Sequence, residues 1–248
     1  MPDAYKELAP LYDAMAADPA LKVMYAEWRA SLRAAVRARG LRPRVLVDLA
    51  CGTGNTTIPW SRRRGLVVVG VDKSAAMLGV ARRKRSRVRW YRQDLLSLRV
   101  EEWADLVTCH FDALNHLLSD AHLQRALRNA ARIMRPGGLF QFDLNTRYWL
   151  EWLSTSEKLF RVGPNVFTAY NEFDRATGIA TFRQMWFVRS GSFYKRFDVT
   201  VRQRAWSDAA IRRMLRRAGL RLLSATTQRA FGKDPIRKLY LADRKSVV

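Results

Sequence analysis

The stretch Val45–Thr57, VLVDLACGTGNTT, decides how this chain is read: an apolar run, an acid near its end, then a loop of small residues. Arg44 to Leu49 is short, apolar and bounded by small residues, which predicts a buried strand. The Gly52-Thr53-Gly54 turn predicts a loop whose backbone N–H groups a ligand can approach, because glycine adopts turns closed to other residues.

The surrounding chain repeats the theme. Strands are predicted at Leu66–Val71, running into Asp72, at Val88–Tyr91, Ala104–Cys109 and Leu139–Leu144. Helices are predicted at Thr56–Arg64, from the cap Ser74 to Lys84, and from the cap Ser119. The last carries Leu123, Ala126, Leu127, Ala130, Ile133 and Met134 on one stripe and is expected to end at Arg135-Pro-Gly-Gly. Strands alternating with helices give an α/β class, with a doubly wound, Rossmann-like, mostly parallel sheet of about seven strands covered on both faces.

Residues 1–40 read as a helical cap, with Leu8, Leu11, Tyr12 and Met15 at helical spacing and Pro10 and Pro19 as breaks. After Asn145 the rhythm changes. Val166–Asp174, Ile179–Arg189 and Tyr194–Arg204 alternate as strands between turn signals, so 146–204 is expected to be an antiparallel β insertion forming a lid. The sheet domain then spans 41–145 and 205–248, the latter with a helix from Ser207 and strands at Arg221–Thr227 and Lys238–Asp243.

Composition narrows the classes. Hydrophobic residues at 48% support a packed core. The apolar runs are too short to span a bilayer, and the first residues lack a secretion signal, so a cytoplasmic location is expected. Cys51 and Cys109 are too few for a disulfide framework, and no His/Cys cluster has metal-ligand spacing. The net charge of +23 raises a nucleic-acid or anionic-membrane partner. Against this, the basic residues are dispersed: arginines 212, 213, 216 and 217 face away from Ile211, Met214, Leu215 and Ala218.

Ligands of doubly wound sheets sit beyond the carboxyl ends of the strands. Asp48, Gly52, Gly54, Asp72, Asp94 and His110 all fall at such ends. Asp72 lies 18 residues after Gly54, where a carboxylate would hold a ribose diol. The third glycine of a dinucleotide loop is missing, and no Gly-Lys-Ser/Thr is present for a triphosphate. Asp48 would repel a pyrophosphate and suits a cationic amine. S-adenosylmethionine has such an amine, a ribose and an adenine, and no phosphate.

Here the sequence resembles the class I S-adenosylmethionine-dependent methyltransferases. VDLACGTG looks like the family's first motif, with Ala50 where glycine is usual, a small-for-small change expected to be tolerated. VVVGVDKSAAML resembles the second, in which Asp72 would bind the ribose and Lys73 and Met77 line the adenine. RQDLLSL resembles the third, where Asp94 and Leu95 would meet the adenine. LRNAARIMRPGGLFQFDLNT looks like the helix and fifth strand of the family. The opening YKELAPLYDAM is similar to the cap of bacterial small-molecule members, with Tyr12 near the methionine carboxylate.

The resemblance implies methyl transfer by in-line displacement, yielding S-adenosylhomocysteine. The fourth-strand segment CHFDALNHL would face the acceptor, with His110 and His116 as candidate bases; His110 would also border the cofactor, and Asp112 is a possible orienter. Asp112, Asn115, Tyr170 and Asn171 are candidate acceptor contacts. No Asp/Asn-Pro-Pro-Tyr/Phe motif or Pro-Cys pair points to nucleic-acid methylation. The expected function is therefore methylation of an N or O of a small molecule by a monomer or homodimer, without a metal. An RNA methyltransferase and a non-catalytic cofactor-binding protein are the alternatives.

Overall fold

The computed structural model describes residues 5–155, 157–230 and 234–245. Two helices open the chain, α1 (Ala9–Met15) and α2 (Pro19–Ala38). Both prolines lie in first turns, where the absent N–H costs nothing. Asp18 caps α2 by accepting from Ala20 N at 2.8 Å.

The sheet core follows as β1 (Val45–Leu49), α3 (Ile58–Ser61), β2 (Val67–Asp72), α4 (Ala75–Arg83), β3 (Arg89–Arg92), β4 (Ala104–Cys109), α5 (Asp120–Arg132) and β5 (Met134–Asn145). The short helix α6 (Arg147–Leu153) leads to β6 (Lys158–Val162), β7 (Asn165–Asp174), β8 (Ile179–Ser190) and β9 (Phe193–Arg204). Then α7 (Asp208–Arg217), β10 (Leu220–Ala230) and β11 (Asp234–Arg244) return to the main sheet.

Seven strands form that sheet in the order β10-β11-β5-β4-β1-β2-β3, with β11 antiparallel to both neighbours. Strand order reverses between β1 and β4, so the loops after these two strands diverge and leave a crevice. Alternation along β1 sends Val47 and Leu49 to the face covered by α5 and α7, and Leu46 to the face covered by α2 and α3. Each fully buried aliphatic side chain contributes about 1.5–3 kcal/mol to holding these layers. No helix among the described residues is long and apolar enough to cross a membrane.

Strands β6 to β9 form a separate antiparallel sheet in sequence order. One face packs Phe167, Trp186 and Val199 onto Leu8 and Leu11 of the N-terminal segment. The N-terminal segment through α1 thus packs on the β6–β9 sheet, while α2 covers one face of the core.

Three local expectations change. The helix expected at Thr56–Arg64 shrinks to Ile58–Ser61, because Thr56 and Thr57 turn their hydroxyls to Asp48 instead of capping a longer helix. Arg135–Gly138 does not terminate α5. It opens β5, with a register shift opposite Ala104/Leu106, and a Cβ on Gly138 would meet Arg135 O at 2.9 Å. The insertion has four strands rather than three, since the exposed edge Lys158–Val162 lacks clean alternation.

Candidate active site

The loop after β1 is left-handed at Ala50 (φ 52°), Gly52 (φ 55°) and Gly54 (φ 82°). The two glycines serve different needs. A Cβ on Gly54 would strike Trp90 at 2.6 Å, whereas one on Gly52 would enter open space. Packing demands the first; the second leaves room beside the backbone for a ligand. Ala50 occupies a region that costs an L-residue about 1–2 kcal/mol. Ala50→Gly is expected to stabilise the fold by about 0.5–1 kcal/mol, read from the denaturation midpoint, since relief of strain exceeds glycine's added chain entropy.

Asp48 lies under this loop, 1% exposed. One oxygen accepts from the Thr108 hydroxyl at 2.6 Å; the other accepts from Thr57 at 2.5 Å and Thr56 at 3.1 Å. These three donors make the buried carboxylate tolerable and pin the loop to β1 and β4. A direct contact with a ligand amine would compete with them. At the end of β2, Asp72 accepts from Gly52 N and Ser74 N, each at 2.8 Å, which joins two strand ends.

The cap is tied to the same loop. Asp13 Oδ1 accepts from Thr53 Oγ1 (2.7 Å), Asn55 Nδ2 (3.1 Å) and Lys84 Nζ (2.7 Å). Lys84 Nζ also donates to Thr53 O (2.7 Å) and Asn55 Oδ1 (2.9 Å). Partial burial pushes the Asp13 carboxyl up, but the bonds from Lys84, Thr53 and Asn55 outweigh it and hold it below the usual carboxylate range.

Across the crevice, Phe111 (φ 62°) and Asp112 (φ 52°) form a left-handed pair of non-glycine residues. Asp143 on β5 holds both, accepting from Phe111 N at 2.6 Å and Asp112 N at 2.9 Å. Arg237 on β11 pairs with Asp143 and, at 2.8 Å, with Asp112 Oδ1. Its guanidinium lies 5.3 Å from the centroid of the Phe111 ring and 5.8 Å from that of Trp28. All three charged groups are buried. Burial raises the Asp112 carboxyl, opposed by Arg237; burial also works against the Arg237 charge, but the two acids outweigh it.

The four-stranded sheet reaches this point through β9. Gln203 Nε2 donates to Asp112 Oδ2 at 2.5 Å and stands 3.5 Å from His116 Nε2. His116 Nε2 is also 3.1 Å from the Tyr5 hydroxyl and 4.0 Å from Asp112 Oδ2. Burial lowers the His116 pKa below its ordinary value, Asp112 opposes and Lys73 adds to the lowering, so the ring is neutral at pH 7. The Tyr12 phenol feels both halves: burial raises it most, followed by Tyr5, Tyr25, Asp112 and Asp72.

His110 sits deeper. It stacks on Trp28 at 4.8 Å, is 6% exposed and has Nε2 3.1 Å from Gln141 Oε1. With that oxygen as acceptor, Nε2 carries the proton and Nδ1 is a buried acceptor without a partner. Burial lowers its pKa too.

The other expected residues scatter. Met77 is buried in α4, and Lys73 is exposed after β2. Asp94 accepts from Leu96 N at 2.8 Å in a 3-10 turn that includes Leu95, a residue packed partly against the core. Asn115 is a rivet: it donates to Arg204 O (2.9 Å) and Asn145 O (3.3 Å) and accepts from Asn145 N (2.9 Å). Tyr170 and Asn171 are successive strand residues, so they point to opposite faces and cannot both line one pocket. Tyr170 is 51% exposed on the outer face, and Asn171 donates to Leu153 O at 2.8 Å. Sequence reasoning did not assign Asp13, Lys84, Asp143, Gln203 or Arg237. Asp143 at a strand end had the same signal as Asp72, while the others carry no local pattern.

Residues 46–138 match the family model described as a methyltransferase domain. YqeM of Bacillus subtilis (strain 168), a methyltransferase by assignment, is 26% identical over 227 residues, covering 90% of this chain and 88% of that protein. The crystal structure of an S-adenosylmethionine-dependent methyltransferase from Clostridium acetobutylicum is 26% identical, with a TM-score of 0.82 over 98% of this chain and 100% of that one. A dTDP-3-amino-3,6-dideoxy-alpha-D-glucopyranose N,N-dimethyltransferase of Streptomyces fradiae is 32% identical over 133 residues, about half of each chain (54% and 51%). The fold, the left-handed loop and the acid at the end of β2 define a Rossmann-like methyltransferase. The domain match, these relatives and the solved structure support a class I S-adenosylmethionine-dependent methyltransferase.

Proposed function

We propose that this methyltransferase acts on an N or O of a small molecule held between the strand ends of the core and the lid sheet. The observation that carries this reading is the meeting of His116, Asp112, Gln203 and Tyr5, drawn from three parts of the fold, at one point beside the crevice. The Streptomyces fradiae relative, whose name states an amino-sugar acceptor, supports a small molecule.

Open space beside the backbone of Gly52 and the unpartnered Nδ1 of His110 fit a polar cofactor in the crevice. Asp72 would hold the ribose, Gly52 and Gly54 would let the loop close on the methionine end, and Tyr12 would approach its carboxylate. Met77, Lys73, Asp94 and Leu95 would surround the adenine. Asp48 and Ala50 would set the shape of the loop, and His110 would form the floor. Bound S-adenosylmethionine supplies an activated methyl group on a sulfonium.

The chain's own residues then orient the acceptor, exclude water and manage one proton. His116, neutral at pH 7, takes the acceptor proton at Nε2 once the acceptor displaces the Tyr5 hydroxyl. Asp112, with Oδ2 4.0 Å from that same nitrogen, favours the charged form of the imidazole, and Asp143 and Arg237 fix Asp112 in turn. The reading sets the reaction in the cytoplasm, in keeping with two buried free thiols, with no metal and a monomer or homodimer as the working unit.

His116→Ala is expected to lower turnover about a hundredfold, the scale of a lost general base, while S-adenosylhomocysteine binding stays within threefold. Wild-type activity should rise with pH through a midpoint below 6.5 and be flat above 7, because His116 must be unprotonated and its pKa is lowered. Incubation with methyl-labelled cofactor, a panel of small amines and alcohols, and total RNA tests the acceptor class. Label on RNA alone would overturn the proposal.

A further inference from the structure

We propose that Asp13 and Lys84 are positioning residues that clasp the N-terminal cap onto the Thr53–Asn55 loop and so set how fast the cofactor enters and leaves. The proposal rests on the reading of that loop as part of the cofactor site. A single oxygen, Asp13 Oδ1, gathers Thr53, Asn55 and Lys84, and Lys84 Nζ closes the ring onto Thr53 O and Asn55 Oδ1. These groups come from α1, the end of α4 and the loop after β1, three segments joined at one carboxylate oxygen. A charge-assisted pair is stronger than a neutral hydrogen bond, and this one is only partly exposed (25% and 38%).

The position of the clasp gives it a function. Tyr12, one residue before Asp13, lies within electrostatic reach of Asp72 on the cofactor side and Asp112 on the acceptor side. Leu8 and Leu11 anchor the same segment under the lid sheet. A cofactor entering the crevice must pass this cap, and the clasp is its polar fastening to the loop. A fastening present both before and after binding changes opening rates more than affinity, since it stabilises both closed states alike.

Asp13→Ala and Lys84→Ala are each expected to raise both association and dissociation rates of S-adenosylhomocysteine about tenfold, the loss of about 1.4 kcal/mol. The dissociation constant should change less than threefold. Asp13→Asn, which keeps the oxygen but not the charge, should fall between, and 1 M salt should quicken wild type more than Asp13→Ala. Stopped-flow tryptophan fluorescence measures the rates. Hydrogen exchange of the α1 amides without any ligand should quicken by a similar factor in both variants, which tests the clasp even if the cofactor-site reading fails. Unchanged α1 exchange in variants with a wild-type thermal midpoint would overturn the clasp. So would a loss of affinity with unchanged dissociation, which marks a direct ligand contact. Failure of wild type to bind S-adenosylhomocysteine would overturn the role in cofactor exchange and the cofactor-site reading together.

Discussion

Asp72→Ala is expected to weaken S-adenosylhomocysteine binding about a hundredfold, measured by calorimetry. A carboxylate meeting the two hydroxyls of a ribose makes two charge-assisted hydrogen bonds, each contributing about 1.5 kcal/mol or more. The substitution also removes the acceptor of Gly52 N and Ser74 N, so the junction of the β1 loop with β2 loosens. Asp72→Asn keeps one oxygen in place and should lose about tenfold. An Asp72→Ala protein that binds as wild type does would remove the ribose role from Asp72.

Arg237→Met is expected to cost about 3–5 kcal/mol of stability, because it leaves the buried carboxylates Asp112 and Asp143 facing each other without their cation. For a chain of this size that is a fall of about 10 °C in thermal midpoint. The loss should shrink at low pH. Without Arg237, burial and the neighbouring acid raise the folded pKa of the Asp112 carboxyl further above the unfolded value. Protonation therefore restores stability below that value, and the deficit grows as pH rises through the folded pKa. Adding Asp143→Asn to Arg237→Met should recover part of the deficit at pH 8. A deficit independent of pH would show that lost packing on Trp28 and Phe111, not charge, is responsible.

These two residues also show what was legible in the sequence. Asp72 could be read because its cues are local: a valine-rich strand, an acid at its end and a glycine loop 18 residues before it. Arg237 could not, since its partners lie 94 and 125 residues earlier and no periodicity links β11 to the turn after β4. The mostly parallel seven-stranded sheet followed from alternating strands and helices, while the bulge before Leu139 did not, because Arg-Pro-Gly-Gly reads locally as a helix stop. As candidate bases His110 and His116 looked alike in CHFDALNHL, although only His110 was expected to border the cofactor as well. Only packing separates them: Trp28 covers one, and Tyr5 and Gln203 meet the other.

Gln203 and Arg204, the last residues of β9, carry the hydrogen bonds from the lid sheet to the turn after β4. The lid therefore plugs into the core like an exchangeable cartridge. Its far strands can change length and outward surface, provided the plug keeps its amide and its backbone carbonyl and Phe167 and Trp186 keep the inner face that holds Leu8 and Leu11. On the proposed function, new acceptor preferences should thus arise by rewriting the turns and outward faces of β6 to β8, and an engineered exchange of this sheet should be cut on the amino side of Gln203 and keep Phe167 and Trp186.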